Sequence, residues 1–282
     1  MKLIETTAEL LPFISGEDGI YKMIERAGRT CYKSTDKMTD DSAKPFVERM
    51  IKSGHTAMLE HGTVYLMVKL PDDEITPSES LYHYKHNKHS VYNVANRTAY
   101  VTTNFRVLVE NEWLDDLKYL CEPTIWHEKR YTFRMVTSIG VTRELNRHRV
   151  NSIAEQSTRY CNYAKDKFGS EITFCKPVWA PDYDEADWDR FLKALFEAEN
   201  AYLGLINQGW QPQQAREVLP LCTASEIIHT AFASDWRFFF DLRLFGKTGA
   251  PHPNMLLLAQ KMKAEAEDKD VWNDIMRYHS KF

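Results

Sequence analysis

Three runs dense in β-branched and aromatic residues, TVYLMVKL (63–70), YVTTNFRVLV (100–109) and YTFRMVTS (131–138), alternate with segments whose apolar residues recur at helical spacing. Runs of the first kind read as strands, and strands need a second layer to cover them. The helical segments can supply it. Residues 17–30 and 42–53 read as helices; in the second, Phe46, Val47, Met50 and Ile51 share one face and Gly54 closes it. GVTRELNR (140–147) reads as a short helix. From Asp184, a stripe of Trp188, Phe191, Leu192, Leu195, Tyr202, Leu205 and Ile206 runs to Gly209. Pro212 opens another helix and Pro220 breaks it. A long apolar helix is expected from about Ala224 to Leu244, and an amphipathic one from about Asn254 to Glu267. No internal repeat and no low-complexity linker interrupts the 282 residues. The expectation is an α+β fold, with mixed helices packed on an antiparallel sheet in one domain spanning 1–282.

Charge separates one segment from the rest. Residues 71–128 carry ten Asp/Glu against five Lys/Arg, whereas the whole chain has a net charge of only −4. The segment contains HYKHNKH, with His83, His86 and His89 three residues apart. On a helix these would fall near one face, as metal ligands might, but no Asp, Glu or Cys inside the run completes a site. A polar loop, with no metal, is the better reading. The net charge argues against a dedicated nucleic-acid binder. No apolar run approaches a membrane span, and Glu5 and Glu9 interrupt the start where an export signal would need an apolar core. The five cysteines (31, 121, 161, 175 and 222) are odd in number and form no CxxC pair. They read as reduced thiols in a cytoplasmic protein.

The stretch RHRVNSIAEQSTRY (147–160) concentrates cations. With Arg143 it holds four Arg in residues 143–159. Glu155, Ser157 and Arg159 alternate, so an extended backbone would point all three to one side. An acceptor, a hydroxyl and a guanidinium on one face suit a ligand with donors and a phosphate, for which Arg is the best-matched side chain. No GxGxxG or GxxxxGK[ST] turn is present to cradle a phosphate with backbone, and neither HExxH nor GxSxG occurs. Any phosphate would be held by Arg and His side chains.

Arg147-His148-Arg149, seven residues and then Ser157, followed by Arg159 and Tyr160, resembles the signature of the flavin-dependent thymidylate synthases. GHTAMLEH (54–61) is similar to that family's histidine segment, AREVLP (215–220) to the one with a substrate-binding Arg, and DWRFFFDLR (235–243) to the helix ending in the catalytic Arg. The resemblance covers roughly 1–70 and 129–265, so 71–128 looks like an inserted subdomain that longer members carry.

The resemblance implies a homotetramer that methylates dUMP to dTMP, with FAD as cofactor, methylenetetrahydrofolate as carbon donor and NADPH as reductant. It implies that His55, Arg147, His148, Arg149 and Glu155 contact FAD, partly across subunit boundaries. It implies that Glu144, Arg147, Glu155, Gln156, Ser157, Thr158, Arg159, Arg216 and Arg243 bind dUMP, with Arg243 also catalytic, set against the uracil ring. A guanidinium there never deprotonates and would stabilise a developing uracil anion. Four positions depart from the family pattern. Glu144 stands where many members have Gln, Ala57 replaces a Ser or Thr, and Phe232 and Phe238 stand where Asn or His commonly meets the flavin. A flavin-free synthase would attack uracil with a cysteine after a proline, and none of the five cysteines follows one. The alternative is a noncatalytic nucleotide- or flavin-binding module that kept the pocket.

Overall fold

β9 (Ala224–Phe232) is the strand around which the fold is built, and every residue of it but the last is buried. The computed structural model describes residues 1–69, 79–165 and 169–280, so Leu70 and the head of the acidic segment (71–78) lie outside the described residues. In chain order the first half comprises β1 (Lys2–Ile4), β2 (Thr7–Leu10), α1 (Gly16–Cys31), α2 (Ala43–Lys52), β3 (Thr63–Lys69), α3 (Glu79–Tyr82), β4 (Val91–Ala95), β5 (Thr98–Asn104) and α4 (Phe105–Glu110). The second half comprises β6 (Arg130–Ser138), α5 (Ile139–Leu145), β7 (Ser152–Glu155), β8 (Thr173–Cys175), α6 (Glu185–Asn207), α7 (Pro212–Ala215), β9, α8 (Ala233–Arg243), α9 (Pro253–Asp268) and α10 (Trp272–Met276).

The main sheet is antiparallel, in the order β2-β6-β9-β7, and a second antiparallel sheet has the order β3-β5-β4. A short parallel pair joins β1 to β8. The expected α+β architecture is the observed one. Because successive side chains alternate across a strand, β9 feeds two layers. Ile227 and Ala231 join Phe133 and Met135 of β6 under Trp236, Phe239 and Phe240 of α8 and Met255, Leu258 and Met262 of α9. On the opposite face, Ile228 meets Ala154 of β7 and Ala27 of α1.

This two-sided burial explains one correction. The run from Ala224 to Leu244, expected as a single long helix, is β9 followed directly by α8. A strand covered on both faces loses the polar–apolar alternation that would betray it and reads as a continuous apolar run. A second correction falls in the run 100–109, expected as strand throughout. It is strand only to Asn104, where the Asn104 side chain accepts the Val107 N–H at 3.3 Å and starts α4.

The described part of the acidic segment packs into the core that α1 and α2 begin. Leu81, Tyr84, Val101, Phe105 and Leu108 sit with Ile20, Ile24, Val47, Leu59 and Val64. Gly62, at the turn into β3, permits this closeness: a Cβ there would lie 2.7 Å from side-chain atoms of both Ile20 and Ile24.

Candidate active site

The Arg-rich stretch begins where β6 turns into α5. Ser138 caps that helix, its hydroxyl accepting the Val141 N–H at 3.4 Å. Leu145 ends α5 in the core, and Asn146–Val150 then turn back toward β7, with Val150 in the left-handed region at φ 67°. The turn sorts its side chains by burial. His148 is buried, while Arg147 and Arg149 on either side are exposed and make no ion pair among the described residues.

The last residue of α8 reaches into this turn. Arg243 donates from Nε to His148 Nε2 at 3.2 Å, from Nη1 to Glu144 Oε2 at 2.7 Å and from Nη2 to the Glu144 carbonyl at 3.5 Å. The His148 ring also packs edge-on against Phe239, with centroids 5.1 Å apart, and against Phe238 at 6.0 Å. Because Nε2 accepts from Arg243, the proton of the neutral ring lies on Nδ1, which is buried with no partner among the described residues. Burial first, then the Arg243 cation, hold the His148 pKa down at about 4. The imidazole is therefore neutral at physiological pH.

A second group forms past β7. Glu155 Oε1 accepts from the Ser225 hydroxyl at 2.9 Å, and Oε2 from Asn146 Nδ2 at 3.4 Å. Gln156 is buried; its N–H donates to the Glu226 carbonyl at 2.8 Å and its Nε2 to the Tyr163 hydroxyl at 3.5 Å. The strand ends there. Ser157 N–H donates to the Cys31 carbonyl at the end of α1, and Ser157 Oγ accepts the Arg159 N–H at 3.2 Å, which bends residues 158–160 into a turn. The expectation that Glu155, Ser157 and Arg159 share one extended face is therefore corrected. The serine's own side chain competes with the ladder and stops it. Arg216, just after α7, donates from Nη1 to Thr158 Oγ1 at 3.2 Å. Arg159 is exposed, its guanidinium 4.4 Å over the Tyr160 ring and hydrogen-bonded to the Tyr160 hydroxyl.

Two clusters thus emerge from the sequence-singled residues: Glu144, His148 and Arg243 in one, and Ser157, Thr158, Arg159 and Arg216 in the other. Glu155 stands between them through Asn146. His55 remains apart. It is exposed at the start of the 3-10 helix Thr56–His61, and no hydrogen bond or ion pair joins it to Arg147, His148, Arg149 or Glu155. Ala57 is likewise exposed on that helix.

A cavity of about 600 Å³ borders the Arg-rich turn, reaching Val150, Ser152 and Phe232 on one side and Lys88, His89 and Arg106 of the acidic segment on the other. The three histidines of HYKHNKH diverge around it. His89 lines the cavity, whereas His83 meets Asp116 Oδ2 at 3.0 Å, an oxygen that also accepts from the Tyr84 hydroxyl. His83 and His86 lie on a short 3-10 turn where a loop was expected. Among the described residues no group of three or more His, Cys, Asp or Glu could hold a metal ion. None of their helices is long and apolar enough to cross a membrane.

Chemically, the exposed Arg147 and Arg149 flank a neutral, buried imidazole. The two guanidiniums fit a pyrophosphate, which carries two negative charges and several acceptor oxygens. The hydroxyls of Ser157 and Thr158, beside two guanidiniums, fit a phosphate monoester. Sequence reasoning missed Asn146 and Ser225, the two donors to Glu155. Asn146 lies in the turn itself and could have been found by its position. Ser225 was hidden in the run assigned to a helix, where it would not have faced β7.

The model of the thymidylate synthase complementing protein family matches residues 80–270. The chain is similar to the flavin-dependent thymidylate synthase of Pyrococcus furiosus, 33% identical over 103 residues, which are 36% of this chain and 41% of the relative. It is also similar to that of Geobacter sulfurreducens, 30% identical over 135 residues, 46% of this chain and 55% of the relative. The chain thus matches about half the length of these curated relatives. A solved UMP/dUMP methylase, PolB from Streptomyces cacaoi with 5-Br dUMP bound, aligns over 98% of this chain and 96% of its own, at 17% identity and a TM-score of 0.46.

Proposed function

Because the chain belongs to the thymidylate synthase complementing protein family, we propose that it methylates dUMP at C5 of the uracil ring to give dTMP. FAD would be the cofactor, NADPH the reductant and methylenetetrahydrofolate the carbon donor. The observation that carries the reading is the contact of Arg243 with both Glu144 and His148, which ties the end of α8 to the Arg-rich turn. On this reading Ser157, Thr158, Arg159 and Arg216 hold the nucleotide phosphate, and Arg147, Glu155 and Gln156 border the rest of dUMP. Arg147, His148, Arg149 and Glu155 hold the flavin, completed by His55 from another copy of the chain. When bound, the flavin supplies the reducing equivalents that the methylation consumes.

Arg243 acts on the ring. Its cation stabilises the negative charge that develops on uracil as C5 becomes nucleophilic. Glu144 holds that cation in place before substrate arrives, and the nucleotide must share Arg243 with it. No protein nucleophile is required. Burial pushes the thiols of Cys31, Cys121 and Cys222 up to about 11 and that of Cys175 to about 12, so all four stay protonated and weakly nucleophilic at neutral pH. Cys161, the cysteine next to the Arg-rich stretch, is 1% exposed.

The protein would act as a homotetramer in the cytoplasm, on small molecules and not on nucleic acid. Each chain would work as one domain, with 71–128 an insertion bordering the cavity beside the turn. Titrating dUMP into FAD-loaded protein tests the shared site. The flavin absorbance between about 350 and 500 nm should change with saturating dUMP, and a flavin spectrum indifferent to dUMP would contradict it.

A further inference from the structure

A second cavity, of about 530 Å³, opens between the β2–α1 connection, the start of β6 and the end of α9. Its walls are mostly apolar, with Leu11, Phe13, Ile20, Met23 and Val271 among them, and Glu9, Lys129, Glu265 and Lys269 also line it, Lys269 paired with Asp268. One end is different. His61 and Arg130 line it, 1% and 6% exposed respectively, and each carries a nitrogen with no partner among the described residues, Nε2 of His61 and Nε of Arg130.

The Arg130 guanidinium is the unusual member. Among the described residues its other nitrogens donate to neutral oxygens alone: the Glu60 carbonyl and Thr63 Oγ1, each at 3.1 Å from Nη1, and Ser152 Oγ at 3.1 Å from Nη2. The Phe232 ring lies 5.4 Å from it. Among the described residues no carboxylate forms an ion pair with it; it feels the charges of Glu60 and Asp235 without direct contact, and the Glu60 carboxylate is bound to Arg106 at 2.5 Å. A buried guanidinium without a counter-ion is costly, and such charges are ordinarily paired. The carboxylates at the cavity are otherwise engaged, Glu9 with Arg134 at 3.3 Å and Glu265 with the Leu10 N–H at 3.1 Å. His61 adds a donor. Thr132, Thr230 and His61 Nδ1 form a chain of contacts of 2.8 and 2.9 Å, and when the hydroxyls donate toward the ring, the proton of the neutral imidazole sits on Nε2.

We propose that this cavity binds a compact apolar monocarboxylate, its carboxylate paired with Arg130 and hydrogen-bonded by His61 and its body against the apolar wall. The size suits a small organic molecule, and an apolar chamber with a few convergent polar groups is the usual form of such a site. Arg130 also borders the 600 Å³ cavity beside the Arg-rich turn, on its other side, but none of the residues proposed to bind dUMP or FAD lines this cavity, so the inference does not depend on that reading.

Calorimetric titration with 3-phenylpropionate and its uncharged analogue 3-phenylpropanamide tests the assignment on the intact protein. The acid should bind at least tenfold more tightly than the amide, as expected for a hydrogen-bonded charge pair. Arg130→Met should weaken the acid at least tenfold and leave the amide unchanged, while the thermal midpoint stays level or rises because an unpaired buried charge has gone. Should that variant fail to fold, Met23→Trp, which fills the cavity from its wall, must abolish binding of the acid. Equal affinity for acid and amide would overturn the proposal, as would no binding of either. Undiminished acid binding in Met23→Trp would place the anion on the other side of Arg130 and overturn it too.

Discussion

At the scale of single residues, the proposed chemistry rests on where cations and neutral imidazoles stand. Arg243 carries the ring chemistry, so Arg243→Ala should lower turnover by about a hundredfold or more, as loss of a main electrostatic stabiliser does. The same substitution removes the cation that helps to depress His148. The His148 midpoint, followed by NMR of its ring protons, should therefore rise from about 4 toward its ordinary value; a fixed midpoint would show that Arg243 does not act on it. Arg159→Ala separates ligands. Arg159 is exposed and, among the described residues, bonds to its neighbour Tyr160 and to Ser157. The variant should fold normally and weaken dUMP about ten- to a hundredfold with little change for FAD, whereas equal losses for both would make Arg159 structural.

The buried imidazoles also predict how stability follows pH. Burial is the largest cause holding His61 at about 3, His148 at about 4 and His229 well below its ordinary value. Their folded values lie under the unfolded value of roughly 6.5, so the unfolded chain takes up protons first as pH falls. Stability is full above about 6.5 and declines from there toward pH 4, by about 1.4 kcal/mol per pH unit for each imidazole. Urea midpoints between pH 7 and 4.5 should fall steadily. Both ring nitrogens of His229 lack a partner among the described residues and its ring packs on Trp236, so His229→Phe should flatten the slope; an unchanged slope would show that His229 does not contribute to it.

At the scale of elements, the helices were legible where one face was apolar and the other wet. The stripe from Trp188 to Ile206 and the faces of α1, α2 and α9 announced themselves by period, and Gly or Pro marked several of the ends. What escaped were elements whose signal is cancelled by tertiary context. β9 hid its alternation because α8 and α9 cover one face and α1 the other. α4 hid behind β-branched residues that favour strand, and only Asn104 betrayed its start. At the site, the clustering of Arg147, His148 and Arg149 was legible as cation density, but the turn at Ser157 was not, since it depends on Cys31 from α1. The histidines of HYKHNKH belong to this scale as well. They diverge, so replacing His83, His86 and His89 together by Asn should leave turnover within about threefold, as substitutions outside the reacting groups usually do, with some stability lost at the His83–Asp116 contact. Activity abolished by the replacement and restored by a divalent metal would contradict this.

At the scale of the whole molecule, the position of His55 is decisive. It is exposed and bonded to none of the residues with which it is proposed to hold the flavin, and on the proposed reading it completes the flavin site of another copy of the chain. Light scattering should report an assembly of several identical chains. Co-expressed His55→Ala and Arg243→Ala chains, each inactive alone, should recover part of the activity by forming sites that lack both changes. No recovery in a verified mixed assembly would confine the site to one chain. The most direct test of the central claim is the product itself. The purified protein, supplied with FAD, NADPH, methylenetetrahydrofolate and dUMP, should form dTMP, with formation depending on the flavin and retained when each cysteine is changed singly to Ser. FAD and dUMP binding without any dTMP would contradict the claim and leave a noncatalytic binding module, and a denaturation-resistant uracil adduct on a cysteine or serine would contradict the mechanism.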